Sequence, residues 1–487
     1  MSFHTFGKVS VMNEAAELQE NKPANLPDDW WSILKEAVRG SERDFTNGSM
    51  GLAIFLLAVP MILEMVLESV FAVVDVFFVA KLGADAVAVV GITESMMALV
   101  YAVAIGLSIG ATATVARRVG EKDTEGAART AAHVIYLGIV VSFLMGVAGV
   151  IFAADFLRIL GASDAVVAQG TAFTQIMLGG NAVVVFLFLL NAIFRGAGDA
   201  AIAMRVLWLA NALNIVLGPC FIFGLYFFPE LGVTGAAVAT TIGRGTGVLF
   251  AFWYLFRKSG RITIKPEHWK LDLSLLWSLV KLSSAAVLQF VIATASWTGL
   301  IRIVSNFGSE AVAGYTIGIR IIMFALLPAV GLSNAAATLV GQNLGAGKPE
   351  RAEKAVWRAA FYNAVFLGAV GLILAIFSGP IVGIFTQEPA VLGYASDSLR
   401  IISYGFVFYA LGMVLETSFN GAGDTWTPTY LNLFVFWLFE IPAAYILAFH
   451  FGLGMHGVFW AITCAFSLLA VASAVLFRRG KWKTKVV

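Results

Sequence analysis

Twelve apolar runs of about 20 residues recur along this chain, each long enough to cross the ~30 Å hydrocarbon core of a bilayer as a helix. The expected spans are 52–80, 88–116, 130–154, 166–190, 201–224 and 232–256, then 275–303, 311–340, 357–379, 393–418, 428–450 and 454–477. Lipid offers backbone N–H and C=O groups no partner, so outside a closed barrel each run must be helical. Only 13% of the 487 residues are charged, against about 25% in a water-soluble domain. The predicted fold class is an all-α polytopic membrane protein.

The last six spans repeat the first six at a constant offset of 225 residues. Segment 105–127, IGLSIGATATVARRVGEKDTEGA, reads against 330–352, VGLSNAAATLVGQNLGAGKPERA. Gly83 aligns with Gly308, Gly106 with Gly331, and the GAGD of 196–199 with that of 421–424. Past a loop at 226–230 the offset falls to 222, where LGVTGAAVATTIG of 231–243 meets LGMHGVFWAITCA of 453–465. Six spans per unit is an even number, so the two six-helix lobes share one orientation and form a parallel repeat. The chain therefore divides into an N-terminal arm (1–50), a first lobe (51–256), a basic linker (257–274), a second lobe (275–478) and a basic tail (479–487). Two like halves can close a central cavity alternately on either side, which points to a transporter.

Lysine and arginine placement predicts the orientation. Twenty-three of the 32 lie in the arm, the linker, the tail and the loops on their side, whereas Lys81, Arg158 and Arg302 mark the other side. By the positive-inside rule both termini are expected in the cytoplasm, in a plasma or inner membrane. Topology thus accounts for the net charge of +2, and no nucleic-acid partner is implied. Within the arm, Asp28-Asp29-Trp30-Trp31 could open a short interfacial helix, since paired tryptophans suit the headgroup layer; a flexible tail is the alternative. Cys220 and Cys464 fall in separate spans, which leaves no disulfide framework or zinc pattern. No phosphate loop, HExxH or Ser/His/Asp set is present, so the chain reads as neither an enzyme nor a cofactor binder. No obligate protein partner is expected, and energy is expected from an ion gradient across the bilayer.

The chemistry is carried by ionisable residues inside the spans. Glu64, Glu68 and Asp75 of the first span lie within about 40° of arc on one helix face and extend over ~16 Å. Each costs about 2.5–3.5 kcal/mol at a helix centre, so the stripe should face protein or water. Such carboxylates could take up a proton or hold a sodium ion, with Asp75 the foremost. The alternative is that they pair with buried arginines, for which Arg244 and Arg320 are at hand. The second lobe lacks the stripe: Glu64 aligns with Gln289, Glu68 with Ala293 and Asp75 with Leu300. Pro60 removes a backbone hydrogen bond beside the acids and can bend the helix. Glu94, Met97, Tyr101 and Glu416 are further candidates to line a cavity for small amphipathic compounds, and Glu440 is another in-span acid. Asn214 and Thr240 are neutral polar residues within spans. Asp199 and Asp424, at the ends of the GAGD motifs, are expected to cap the helices that follow.

With these residues in view, the chain resembles the multidrug and toxin extrusion (MATE) family over about 50–480. The resemblance rests on Ala58-Val59-Pro60, Val74-Asp75-Val76-Phe77-Phe78 leading to Lys81-Leu82-Gly83, the two GAGD loops, Leu213-Asn214-Ile215 and Gly235-Ala236-Ala237-Val238-Ala239-Thr240. It implies a V-shaped pair of lobes exporting amphipathic, cationic compounds in exchange for a proton or a sodium ion. Pro60 and Asp75 resemble the bending proline and cation-binding aspartate of the first helix in the prokaryotic, DinF-like branch. Asn214 and Thr240 resemble its supporting polar positions. Where that branch often carries a second aspartate, this chain has Gly218, and Glu68 is our substitute. Glu416 would be a remnant of the second-lobe acidic site of other branches. A lipid-linked oligosaccharide flippase of the same superfamily is the alternative; it would need a cationic cavity, with Arg244 and Arg320 as its donors.

Overall fold

The computed structural model describes residues 30–257 and 260–486; the side chains of Val73, Asp75, Val76, Ala80 and Ala84 also lie outside the description. The described residues form helices and the loops between them. Helix α1 (Trp30–Arg39) displays stacked, exposed Trp30 and Trp31 with ring centroids 4.1 Å apart; Asp28 and Asp29 lie outside the described residues. The first lobe follows as α2 (Met50–Ala80), α3 (Ala84–Gly120), α4 (Thr124–Ile159), α5 (Asp164–Gly179), α6 (Asn181–Ala197), α7 (Ala200–Phe223) and α8 (Val233–Phe256). The second comprises α9 (Leu273–Val304), α10 (Ser309–Gly345), α11 (Pro349–Ile376), the short α12 (Ser378–Val382), α13 (Pro389–Ser403), α14 (Phe406–Gly421), α15 (Trp426–His450) and α16 (Met455–Arg478). The molecule is an all-α polytopic membrane protein whose two lobes repeat one another.

Among the described residues, ten helical runs are long and apolar enough to cross a membrane, with α5 and α6 counted as one. An eleventh is the pair α13–α14, bent by 61°. Helix α8 is long enough at 24 residues but is diluted by Arg244, glycines and threonines. It lies tightly along α7, where a Cβ on Gly243 would come within 2.7 Å of the Ala210 carbonyl oxygen. Two spans expected as single runs, 166–190 and 393–418, are interrupted, at Gly180 and at its repeat partner Gly405. In the first lobe Asn181 Nδ2 donates to the freed Leu178 carbonyl at 2.6 Å and to Ser142 O at 3.1 Å, which satisfies backbone that lipid could not. Helix α15 is wound as π-helix over Leu433–Glu440 and Ile446–His450, on either side of Pro442, whose ring nitrogen cannot donate.

The lobes meet through glycines, and the contacts obey the repeat. A Cβ on Gly106 would sit 2.3 Å from the Val287 side chain, and one on Gly331 would sit 2.7 Å from Met61 O. Towards the end of the bundle that carries the basic loops, Gly120 lies against the carbonyl of Gln342 and Gly345 against that of Arg117, at 2.0 and 2.1 Å from a virtual Cβ. Backbone therefore rests on backbone where α3 crosses α10, and the lobes are closed at this basic end.

The arm and tail fasten the same end. Residues 38–47 offer backbone carbonyls to the first lobe, the linker and the second lobe. Arg261 of the linker donates to Ser41 O and Arg43 O, and Arg205 of α7 to Val38 O and Arg39 O. From the second lobe, Lys348 donates to Thr46 O and Asn47 Oδ1, and Arg351 to Phe45 O and Asn47 O. In the tail Trp482 is fully buried, Lys483 bridges Glu350 and Glu353, and Arg117 of the first lobe donates to Lys485 O. Neither GAGD aspartate caps a helix through its side chain, contrary to the sequence expectation. Asp199 instead accepts from Tyr254 Oη at 3.2 Å, and burial raises its carboxyl above the usual range against the pull of Arg261. Asp424 receives Thr427 Oγ1 at 2.7 Å and Lys485 Nζ at 3.1 Å. Both are anchors rather than caps because arm, linker and tail fold back over the loops.

Candidate functional site

Helix α2 belongs to two neighbourhoods. Its first half, Met50 to Met61, is buried against α10, α11 and α14 of the second lobe. From Leu63 onwards it is bonded to the first lobe: Trp208 Nε1 donates to Leu63 O at 3.3 Å, and Asn211 Nδ2 to Glu68 Oε2 at 3.0 Å. Pro60 sits buried at the changeover, inside a helix that runs unbroken through it. Since proline forfeits the hydrogen bond of its turn, the softest point of α2 coincides with the seam between lobes.

Beyond Pro60 a polar track runs through the first lobe. Glu64 is 2% exposed and pairs with Arg195 Nη1 at 3.1 Å and Asn191 Nδ2 at 3.4 Å, both from α6. Glu68, one turn on and about a third exposed, faces Arg244 Nη2 at 3.6 Å as well as Asn211. Arg244 also donates to Tyr101 Oη at 2.9 Å. One turn along α7 from Asn211, Asn214 Nδ2 donates to Thr240 Oγ1 of α8 at 2.9 Å, both residues being buried. Next to them is Gly218, where a Cβ would meet only Asn214 Oδ1 at 3.9 Å. The structure thus joins Asn214 to Thr240 and places Glu68 with Asn211 and Arg244. The backbone of Asp75 lies on α2, two turns beyond Glu68, and its side chain lies outside the described residues.

Of the remaining candidates, Glu94 is exposed on α3 and Tyr101 is half-buried beside Phe188. Met97 is 1% exposed and packs into the first-lobe core rather than onto an open surface. In the second lobe, Gln289 Nε2 donates to Glu416 Oε1 at 2.6 Å, and Ser296 Oγ lies 3.0 Å from Glu440 Oε2. Of these four acids, Glu64 and Glu68 have arginine partners among the described residues, whereas Glu416 and Glu440 are met by an amide and a hydroxyl.

Arg195, Asn191 and Asn211 escaped the sequence reading. Arg195 lies directly before a GAGD motif and beyond the expected span end at 190, but α6 continues to Ala197 and turns the guanidinium inward to Glu64. The repeat carried a usable signal: Asn191 aligns with Glu416, just as Glu64 aligns with Gln289. A carboxylate set among amides, a hydroxyl and a competing guanidinium can bind and release a proton or a small hard cation. Among the described residues it holds no nucleophile and base pair for covalent chemistry.

A family model, MatE, matches residues 60–220 and 285–446, and the two matched segments start at positions related by the internal repeat. Among curated relatives, a probable multidrug resistance protein NorM of Thermotoga maritima is 27% identical over 438 residues, covering 88% of this chain and 93% of the relative. The multidrug export protein MepA of Staphylococcus aureus is 24% identical, covering 86% and 91%. A FAD transporter of Shewanella oneidensis is also 24% identical, covering 84% and 90%. Among solved structures, the outward-facing conformation of a multidrug resistance MATE family transporter superposes with a TM-score of 0.85 at 26% identity, covering 91% of this chain and 98% of that one. The chain belongs to the MatE family and is a multi-pass membrane transporter, not an enzyme.

Proposed function

We propose that the protein exports amphipathic, cationic compounds in exchange for a proton or a sodium ion, with its basic end in the cytoplasm of a plasma or inner membrane. The observation that carries this reading is the buried Asn214–Thr240 bond beside the Glu68–Asn211–Arg244 group, on the face of the first lobe that α2 covers. The coupling ion binds at Asp75, supported by Asn214 and Thr240, while Glu68 exchanges Arg244 for the incoming charge. Neutralising that group lets α2 bend at Pro60, where it passes from one lobe to the other. Related transporters have been solved in a bent and in a straight conformation. Ion and cargo then oppose each other's binding through a reciprocal coupling. The names of the multidrug relatives support export of varied compounds.

The flippase alternative is less favoured: Arg244 is 6% exposed and engaged by Glu68 and Tyr101, while Arg320, the other arginine it would need, is exposed, and the relatives' names point to multidrug export. The test is efflux of a cationic dye from proteoliposomes under separately imposed proton and sodium gradients, for wild type and Asp75→Asn. Efflux driven by one gradient and lost in the variant is expected. Full gradient-driven efflux by Asp75→Asn would sink the assignment.

A further inference from the structure

Beside the arm, where α2 and α11 begin, lies a cavity of about 660 Å³ lined by Gly48 to Met50, Gly347 to Arg351, Lys354 and Arg358. Four of its residues are cationic: Lys348, Arg351, Lys354 and Arg358. The single acid in the lining, Glu350, is taken up by Lys483 of the tail at 3.0 Å. Lys348 and Arg351 donate to backbone carbonyls of the arm, but Arg351 Nε has no hydrogen-bond partner among the described residues. Lys354 and Arg358 are exposed, and neither has a carboxylate within salt-bridge distance among the described residues. Two helix starts also point here, at Met50 and Pro349, and neither receives a side-chain cap. Uncapped N-termini carry partial positive charge, although Pro349 has no N–H and Arg351 N is already bonded to Lys348 O, so the cavity is electropositive chiefly from its side chains, with the helix starts adding to it.

Like charges stacked within two turns of one helix repel each other unless an anion sits among them. The same face of α11 identifies which anion. Arg351, Lys354 and Arg358 are followed at helical spacing by Phe361, Tyr362 and Val365, all exposed and all within about 100° of arc. The basic cluster is therefore continuous with an aromatic and apolar stripe that starts ~5 Å further along the axis. A free phosphate would have use for the first half of this surface only; a phospholipid uses both.

We propose that this cavity binds the phosphate headgroup of an anionic membrane lipid, whose acyl chain lies along Phe361 and Val365. Basic pockets between spanning helices at the cytoplasmic face are suited to such headgroups. The inference rests on the assignment of the basic end to the cytoplasmic leaflet and is independent of the transport reaction. Because Lys348 and Arg351 also hold the arm, a bound lipid would reinforce the closure of this end.

The test reads lipid retention, not transport. Detergent-purified protein from mixed phosphatidylglycerol and phosphatidylcholine vesicles is analysed by native mass spectrometry, for wild type, Lys354→Gln/Arg358→Gln, and Lys270→Gln as a control on the exposed linker. Wild type and control should retain phosphatidylglycerol in preference to phosphatidylcholine. The double variant should lose that preference by at least about tenfold, since two cations near the surface together contribute on that scale. Thermal midpoints establish that the variants are folded. Equal retention of the two lipids by wild type, or an unchanged preference in the folded double variant, would overturn the proposal. Displacement of the lipid by inorganic phosphate at equal concentration would overturn the lipid assignment in favour of a soluble anion.

Discussion

Glu416 accepts a hydrogen bond from Gln289 at 2.6 Å, and this pair is the inverted counterpart of Glu64 and Asn191. Both pairs span 127 residues, and each member aligns with a member of the other pair across the 225-residue repeat. In the first lobe the acid lies on α2 and the amide on α6; in the second the amide lies on α9 and the acid on α14. The fold has kept one polar contact at one depth in each lobe while exchanging which helix supplies the charge. The arginine has not been kept, since Arg195 aligns with Asn420. The same geometry therefore encloses a salt bridge in one lobe and a lone carboxylate in the other.

Glu64→Gln should be strongly destabilising. It leaves Arg195, 12% exposed, without its carboxylate in the lobe interior. Breaking a buried pair from one side costs about 3–5 kcal/mol. A thermal melt should show a large loss for Glu64→Gln and partial recovery in Glu64→Gln/Arg195→Gln, where no charge is stranded. A melt unchanged by the single variant would contradict the pairing.

Glu416→Gln should behave in the opposite sense. No described cation depends on this acid, and a neutral amide can still accept from Gln289 Nε2. Its thermal midpoint is expected to equal or exceed that of wild type, because a desolvated charge has been removed. Loss of efflux at preserved stability would show a coupling role for the second lobe.

Gly218→Asp should fold and alter the ion dependence. A side chain there has room, with Asn214 Oδ1 at 3.9 Å as its nearest neighbour. The added carboxylate would stand beside the Asn214–Thr240 pair as a second acid. The half-saturating concentration of the coupling ion in the proteoliposome assay should fall; an unchanged value would remove Asn214 and Thr240 from the ion site.

Gly345→Ala should pry open the basic end. The new methyl group would overlap the Arg117 carbonyl oxygen at 2.1 Å, and backbone cannot step aside as a flexible side chain can. The expected outcome is a lower thermal midpoint and faster proteolysis in loops 121–123 and 346–348. Gly91→Ala is the matched control: it lies in α3 with nothing within 4 Å and should be neutral or stabilising by up to ~1 kcal/mol.

The arm should loosen in acid. Glu36 and Asp44 both lie below their ordinary values of 4.5 and 3.8, although burial pushes each the other way. Arg43 and Ser41 outweigh it at Glu36, and Thr46 and Asn47 at Asp44. Because the docked pKa values are the lower ones, this contribution is fully present above the ordinary values and is lost as pH falls through the docked ones. Hydrogen exchange over residues 40–47, corrected for intrinsic rate, should show protection that is full well above the ordinary values of 4.5 and 3.8 and declines progressively as the pH is lowered below them. Protection that stays constant as the pH falls through that range would show that these carboxylates do not hold the arm.

Much of this arrangement was legible in the chain itself, because a repeat is read by subtraction. The offset aligned Gly106 with Gly331, and the structure places both where one lobe rests on the other. Helix-face arithmetic put Glu64 and Glu68 on one side of α2, and the structure finds both facing partners within the first lobe. What stayed hidden were facts of the third dimension. Apolar length cannot reveal that a span stops and restarts at Gly180, since a broken helix carries the same hydropathy as a straight one. Nor can it show that Arg195 points inward, because a residue beside a turn motif reads as loop until the helix end is fixed. Met97 was offered to a cavity on chemical type alone, and packing buried it. The role of segment 40–47 was invisible for a simpler reason: its contribution comes mainly from backbone carbonyls, which every sequence possesses.

The contacts at Gly106 and Gly331 have a consequence for how such a machine turns. Where side chains interlock, any relative movement must wait for them to change rotamers and must bear the entropy of choosing new ones. Here the bearing surfaces are largely main chain, which has no rotamers to exchange. Rocking of one lobe on the other would resemble a hinge pin in a plain sleeve, with its friction set elsewhere. The pace of the cycle would then belong to the fasteners at the rim, and a faster transporter would be sought by easing those rather than by polishing the pivot.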